Sequence, residues 1–299
     1  MSRLQVLSDE MWALVEPLMP VASAKGGRPF RDHRTVVEAI IWRYRTGSPW
    51  RDLPEQFGAW KTAWRRHDQY SKDGTWDAIL GALLTVAADA DLIDWAVSVD
   101  STVNRAHQHA TKTSRATQGA PSNYKNLSEE PADHGIGRSR GGLSTKIHHL
   151  VDGAGMPLVV LTAPGQAGDA PMFPILMGHL KVASSKPGRP RTRPDKVRGD
   201  KAYSSKAIRE LLRSKGITAV IPQPDDQIAN RRRRGKNGGR PPAFDVEDYK
   251  GRNVVERGFQ RCKQWRGIAT RYDKHNLNYR GGVVLNAVVA WLKRLRDTP

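Results

Sequence analysis

Apolar positions recur at helical spacing through the first third of the chain. Ser8 is a good N-cap for a helix over 8–19, with Trp12, Leu14, Val15 and Leu18 as its apolar positions and Pro20 helping to end it. A second helix, about 34–46, turns Val37, Ile40, Ile41 and Tyr44 inward and meets a terminating Gly47. The segment 48–58 predicts a short helical turn closed at Gly58. Helices within 59–74 and over 76–88 complete a small bundle, and 21–33 reads as a basic, Gly-rich connector.

From Trp95 the period changes. WAVSVDSTV is a short β-branched run with apolar flanks on both sides of Asp100, the pattern of a central strand buried on both faces. An acid there is expensive unless paired or metal-bound, and hydroxyls of Ser101 or Thr102 are the structural alternative. Residues 104–142 lose periodicity and read as a mobile basic loop, ordered only on a polyanion. Two strands then flank a DGAG turn at 152–155. A helix over MFPILMGHLK, a linker at 187–194, a strand ending at Asp200, a helix capped by Ser204 or Ser205, and a strand TAVIP follow. The last helix spans about 279–296.

The stretch 249–274 has the sharpest pattern. On one helix turning about 100° per residue, Tyr249, Arg252, Gln260 and Lys263 all fall within about 40° of Glu256, and Val254, Val255, Gly258, Cys262 and Trp265 take the other side. A solvated face with an Arg252–Glu256 pair, stabilising by a few tenths of a kcal/mol, is one reading. A metal-ligating acid among phosphate-gripping side chains is the other.

Charge favours the second. Lys and Arg total 49 against 30 Asp and Glu in 299 residues, a net +19 that attracts polyanions. Arg231, Arg232, Arg233 and Arg234, with Lys236 and Arg240, form a dense positive loop read as a phosphate contact. The longest apolar run, Val283–Leu292, is too short to span a bilayer. With Cys262 as the sole cysteine and no leader pattern at the start, a cytoplasmic, nucleoid-associated protein is expected. GIGRSRGG at 135–142 lacks the Gly-Lys-Ser/Thr ending of a nucleotide-binding loop, which argues against an ATPase. His107, His109, His148 and His149 lack the companions of a zinc site.

Tyr249-x2-Arg252-x3-Glu256-x6-Lys263, with GIATRYDK at 267–274, resembles the Tyr-Arg-Glu-Lys signature of bacterial DDE-class insertion-sequence transposases of the insertion-sequence-five-like group. TGSPWRDLPEQFGAWKTAWRRH also looks like their N-terminal region. The resemblance implies an α/β, ribonuclease-H-like mixed sheet core with flanking helices (93–299), preceded by a small all-α helix-turn-helix-like DNA-binding domain (1–92). Lys61, Arg65 and Arg66 would read DNA from the second helix of that motif; a plain bundle with a charged face is the alternative. The catalytic acids carry over onto Asp100, Asp200 and Glu256, in VDSTV, RGDKAY and RNVVER, and Tyr249, Arg252 and Lys263 would hold phosphates. Asp169, in GQAGD, is a further polar candidate outside the triad.

Two carboxylates about 4 Å apart repel by roughly 4 kcal/mol at an effective dielectric near 20, so such a triad favours divalent cations. Oxygen ligands suit Mg²⁺ or Mn²⁺, two ions in all, acting on double-stranded DNA at element ends and target. A homodimer or larger oligomer on DNA follows from processing two ends together. The alternatives are a nuclease of the same fold without strand transfer and a DNA-binding protein that has lost catalysis.

Overall fold

The computed structural model describes residues 5–21, 32–115 and 126–297, so most of the connector and the middle of the basic loop lie outside the described residues. Four helices come first: α1 (Asp9–Val15), α2 (His33–Thr46), α3 (Trp60–Lys72) and α4 (Thr75–Asp89). Then come β1 (Ala96–Ala106), α5 (Gln108–Thr111), β2 (Gly137–Ser139), β3 (Gly142–Val151), β4 (Pro157–Pro164), α6 (Asp169–His179), β5 (Lys196–Arg198), α7 (Lys206–Ser214) and β6 (Thr218–Val220). The chain ends with α8 (Asp225–Arg233), α9 (Val246–Lys250), α10 (Asn253–Lys263), α11 (Arg266–Ala269), β7 (Thr270–Arg271) and α12 (Asn276–Arg296).

Among the described residues, seven strands form one mixed sheet in which β4, β3 and β1 run antiparallel and β5 and β6 join β1 in parallel. β1 is therefore central, as its doubly apolar pattern predicts, and this is the ribonuclease-H-like strand order. Helix ends follow local chemistry. The Ser8 side chain accepts from the Met11 amide, Asp32 accepts from Arg34 and Thr35, and Ser205 rather than Ser204 caps α7. Gly47 closes α2 at φ 71°, a backbone that a side chain would strain.

One hydrophobic core runs through both halves of the chain. Leu7, Trp12, Val37, Ile40, Tyr44 and Leu83 belong to the same cluster as Val99, Leu150, Phe173 and Val284. The reason is α12, which touches α2, α3 and α4 on one side and β4 on the other. Gly282 makes the α2 crossing possible: a Cβ there would stand 2.3 Å from the Tyr44 ring.

Four local expectations need correcting. Leu14 is 38% exposed, and Met11 takes the buried position beside Trp12 and Val15. Instead of dissolving at 104, β1 continues to Ala106, held by the buried Asn104 side chain, whose Nδ2 donates to Ile268 O and Tyr279 Oη. Gly137–Ser139 is a strand paired with Gly142–Ser144, not part of a loop. Arg231, Arg232 and Arg233 end a helix, where cations oppose the negative C-terminal dipole, while Arg234 is its C-cap.

Candidate active site

β1 carries Asp100 in register with His149 on β3, and the two share the face that looks at α10. There His149 stacks on Phe259, ring centroids 4.9 Å apart, and Arg252 Nη1 donates to Asp100 Oδ2 at 2.5 Å. The same guanidinium reaches Glu256 Oε1 at 3.4 Å, so one arginine joins two of the three acids. Further along, Lys263 Nζ donates to Val103 O at 3.3 Å, which lays α10 beside β1.

The expected single helix through Tyr249 and Lys263 is two helices. The amides of Gly251 and Arg252 bond back only three residues, to Asp248 and Tyr249, and the chain tightens into a turn. Packing explains the position of the break. Arg198 crosses beneath Gly251, where a Cβ would be 2.7 Å from its guanidinium carbon, to donate to Asp248. Lys196 Nζ meets the other oxygen of Asp248 at 3.0 Å. Both cations lie on β5, the strand that delivers Asp200, so Asp248 ties the second acid to the helix pair that bears Arg252 and Glu256. Sequence reasoning missed Asp248; its two partners lie about fifty positions upstream, and no local pattern marks them.

Asp200 follows β5 and caps the next turn, accepting from the Ala202 amide at 2.9 Å. Its charge is felt by Asp100. Burial is the main force pushing the Asp100 carboxyl above the usual range, Asp200 adds to it, and the Ser101 amide and Arg252 pull the other way. On Arg252, burial favours loss of the proton, but Asp100 more than offsets it and the guanidinium is held more basic than usual. Burial lowers Lys263. Tyr203, buried beside Asp169, Asp100 and Asp200, is driven far above an ordinary phenol.

Asp169 sits on the opposite face of β1. It accepts from Ser101 Oγ at 2.6 Å and Lys146 Nζ at 2.9 Å, an arrangement that locks it to the sheet. Tyr249 is half-buried beside Arg252. Arg232, Arg233 and Arg234 are exposed, while Arg231 is half-buried and bonded to Gln223; α8 is fastened to the Asp200 turn through Gln227, whose Nε2 donates to Ser204 O at 2.6 Å. Lys61 and Arg65 are exposed on α3 next to Trp64, and Arg66 donates to Gln69. His67, grouped with them in sequence, is buried between Tyr44, Asn278 O and Trp76 and titrates near 4, so it belongs to the core.

The donor set of Asp100, Asp200 and Glu256 is all oxygen, and its most buried member carries an unfavourable charge that Arg252 partly compensates. That chemistry fits a hard divalent cation. Among the described residues, the set of three ligand atoms already within 4.8 Å of one another is a different one, Glu130, His134 and His275. Glu130 is engaged elsewhere: its oxygens accept from the Asn276 and Leu277 amides and cap α12. The positive end of that helix dipole disfavours a cation there.

Comparison with known proteins identifies the family. Residues 92–290 match the model of the transposase DDE domain, and residues 7–80 match that of a candidate transposase of the IS4/5 family. The chain belongs to the DDE-domain transposases, which are polynucleotidyl transferases and endonucleases dependent on divalent metal. A transposase ascribed to insertion sequence element IS6501 of Brucella ovis is 30% identical over 153 residues, 50% of this chain and 100% of that one. A 16.2 kDa protein of insertion element IS402 from Burkholderia cepacia is 35% identical over 108 residues, 34% of this chain and 74% of that one. The Mos1 transposase paired-end complex overlaps 83% of each chain at 12% identity and a TM-score of 0.24, too loose a likeness to place residues. No helix among the described residues is long and apolar enough to cross a membrane.

Proposed function

We propose that this transposase binds the terminal inverted repeats of its own element, cleaves phosphodiester bonds there and joins the ends to target DNA. The supporting observation is the Asp100–Arg252–Glu256 chain, with Asp200 close enough to raise Asp100. Asp100, Asp200 and Glu256 hold two Mg²⁺ or Mn²⁺ ions. When bound, the ions supply Lewis-acid activation of a water or 3′-hydroxyl and stabilise the leaving oxygen. Arg252, already within reach of two acids, turns to the phosphate oxygens when a strand is present, and Tyr249 and Lys263 grip neighbouring phosphates. The exposed Lys61–Arg65 face of α3 contacts element-end DNA with Arg66 beside it, and Arg231–Arg234 add phosphate contacts. Residues 1–92 act as the end-binding unit and 93–299 as the catalytic one. Two copies of the chain assemble on the paired ends.

The test is a nicking and strand-transfer assay on duplexes carrying the inverted repeats that flank the gene, with Mg²⁺ or Mn²⁺. Asp100→Asn, Asp200→Asn and Glu256→Gln should each lower cleavage at least about 1,000-fold while binding persists. A variant that nicks near the wild-type rate removes its residue from the triad. Cleavage without joining of pre-cut ends leaves a nuclease of the same fold.

A further inference from the structure

A groove of about 750 Å³ opens between the outer half of β1, the β2–β3 hairpin and the 165–168 loop, lined by Val103, Arg105, Arg138, Arg140 and Lys146. Three of its arginines gather at one opening without an acid beside them. Arg43, Arg198, Arg252 and Arg280 each meet an acid, whereas among the described residues no acid pairs with Arg105, Arg138 or Arg140, all exposed. Three like charges held at one opening repel one another unless a polyanion enters.

The shape suits a backbone rather than an isolated ion. Val103 and Arg105 alternate onto the same face of β1 as Ser101, which donates to Asp169. Lys146, opposite Val103 in register, is drawn onto Asp169 too, so the cationic strip adjoins Asp169, bonded to Ser101 one residue along β1 from Asp100 and on its other face. Ser101 to Arg105 spans roughly 13 Å of strand, room for about four nucleotides of one strand at their axial rise. On the other edge, Lys263 bonds the carbonyl of Val103 and so connects the groove with the proposed phosphate-gripping face of α10.

We infer that this groove carries the DNA strand running away from the cleaved bond, with Arg105, Arg138 and Arg140 on successive phosphates. The proposal rests on the transposase reading for the identity of the polyanion, and its location is set by the unpaired charges.

Binding of a fluorescein-labelled duplex of arbitrary sequence, followed by anisotropy against salt concentration, tests it without cleavage. Arg105→Gln, Arg138→Gln and Arg140→Gln combined should flatten the log–log salt slope by about 2–3, near 0.9 per phosphate lost. The equally charge-reducing Lys181→Gln, Lys186→Gln and Arg189→Gln, on an exposed segment elsewhere, should change it less. An unchanged slope in the groove variant, or an equal change in both, overturns the proposal. A second readout retains all the arginines: Val103→Cys, 43% exposed in the parent residue, should react with maleimide and be shielded by duplex, while Cys262 is buried. Undiminished labelling in saturating duplex also overturns it. If the triad variants lose cleavage while the groove variant binds normally, the groove is wrong and the transposase reading stands. A flattened slope with triad variants that still nick upholds the groove and removes the triad.

Discussion

Arg252 and Asp100 are joined by a 2.5 Å ion pair between the start of α10 and the middle of the central strand. The pair opposes burial, which is the larger influence on Asp100 and favours its neutral form. The Ser101 amide and the Arg252 guanidinium both favour the carboxylate against that burial.

Arg252→Gln should raise the Asp100 pKa further, and the acid limb of the cleavage pH profile should move to higher pH. Arg252→Lys retains the charge but loses the fork to Glu256, so it should restore the profile more than the rate. Rates measured across pH at saturating Mn²⁺ check both. An acid limb unmoved in Arg252→Gln contradicts the pairing.

Asp248→Ala should slow cleavage by about 10–100-fold with little loss of end binding, since it frees β5, and with it Asp200, to shift against α10. Gly251→Ala should act similarly by displacing Arg198. Single-turnover nicking separates this from a folding defect, provided circular dichroism is unchanged.

Asp152 gives a pH dependence of stability. Burial pushes it up to about 6, against the bonds its carboxylate accepts from the turn amides, among them the Met156 amide. A folded value above the unfolded one means that the stabilising contribution is complete below about 4 and is lost as pH rises through 6. Asp152→Asn should flatten that decline, by about 2 kcal/mol between pH 4 and 7 in urea melts. His149, lowered by burial to about 3, acts in the opposite sense: its contribution is intact above 6.5 and lost as pH falls toward 3. His149→Leu should remove that acid-side loss.

Gly282→Ala should destabilise the protein by about 1–3 kcal/mol, because the added methyl meets the buried Tyr44 ring and α2 cannot withdraw without opening the core. Thermal melting measures it. A variant as stable as the parent would show that the α2–α12 crossing has slack.

Much of this architecture is legible along the chain, since it depends on neighbouring residues. Caps at Ser8 and Ser205, the Gly47 stop and the DGAG hairpin act within a few positions. The three acids stand out through their motifs, and the structure adds that Arg252 binds two of them. What stays hidden is long-range. Asn104 and Ala106 look like loop until Tyr279 and Arg271 meet them, and Asp248 looks like an ordinary surface acid until Arg198 arrives. The break at Gly251 is hidden for the same reason, since a helical wheel has no knowledge of the arginine passing beneath it. Arg105, Arg138 and Arg140 become a group only when strand pairing gathers them.

The position of α12 in the chain has a consequence for biosynthesis. The α2–α4 helices emerge from the ribosome well before residues 276–296, which supply much of the apolar surface they need. Until then Tyr44, Leu80 and Leu83 lack part of their cover, so nascent or prematurely terminated chains expose a sticky face that invites chaperones and proteases. Docking of α12 closes that face.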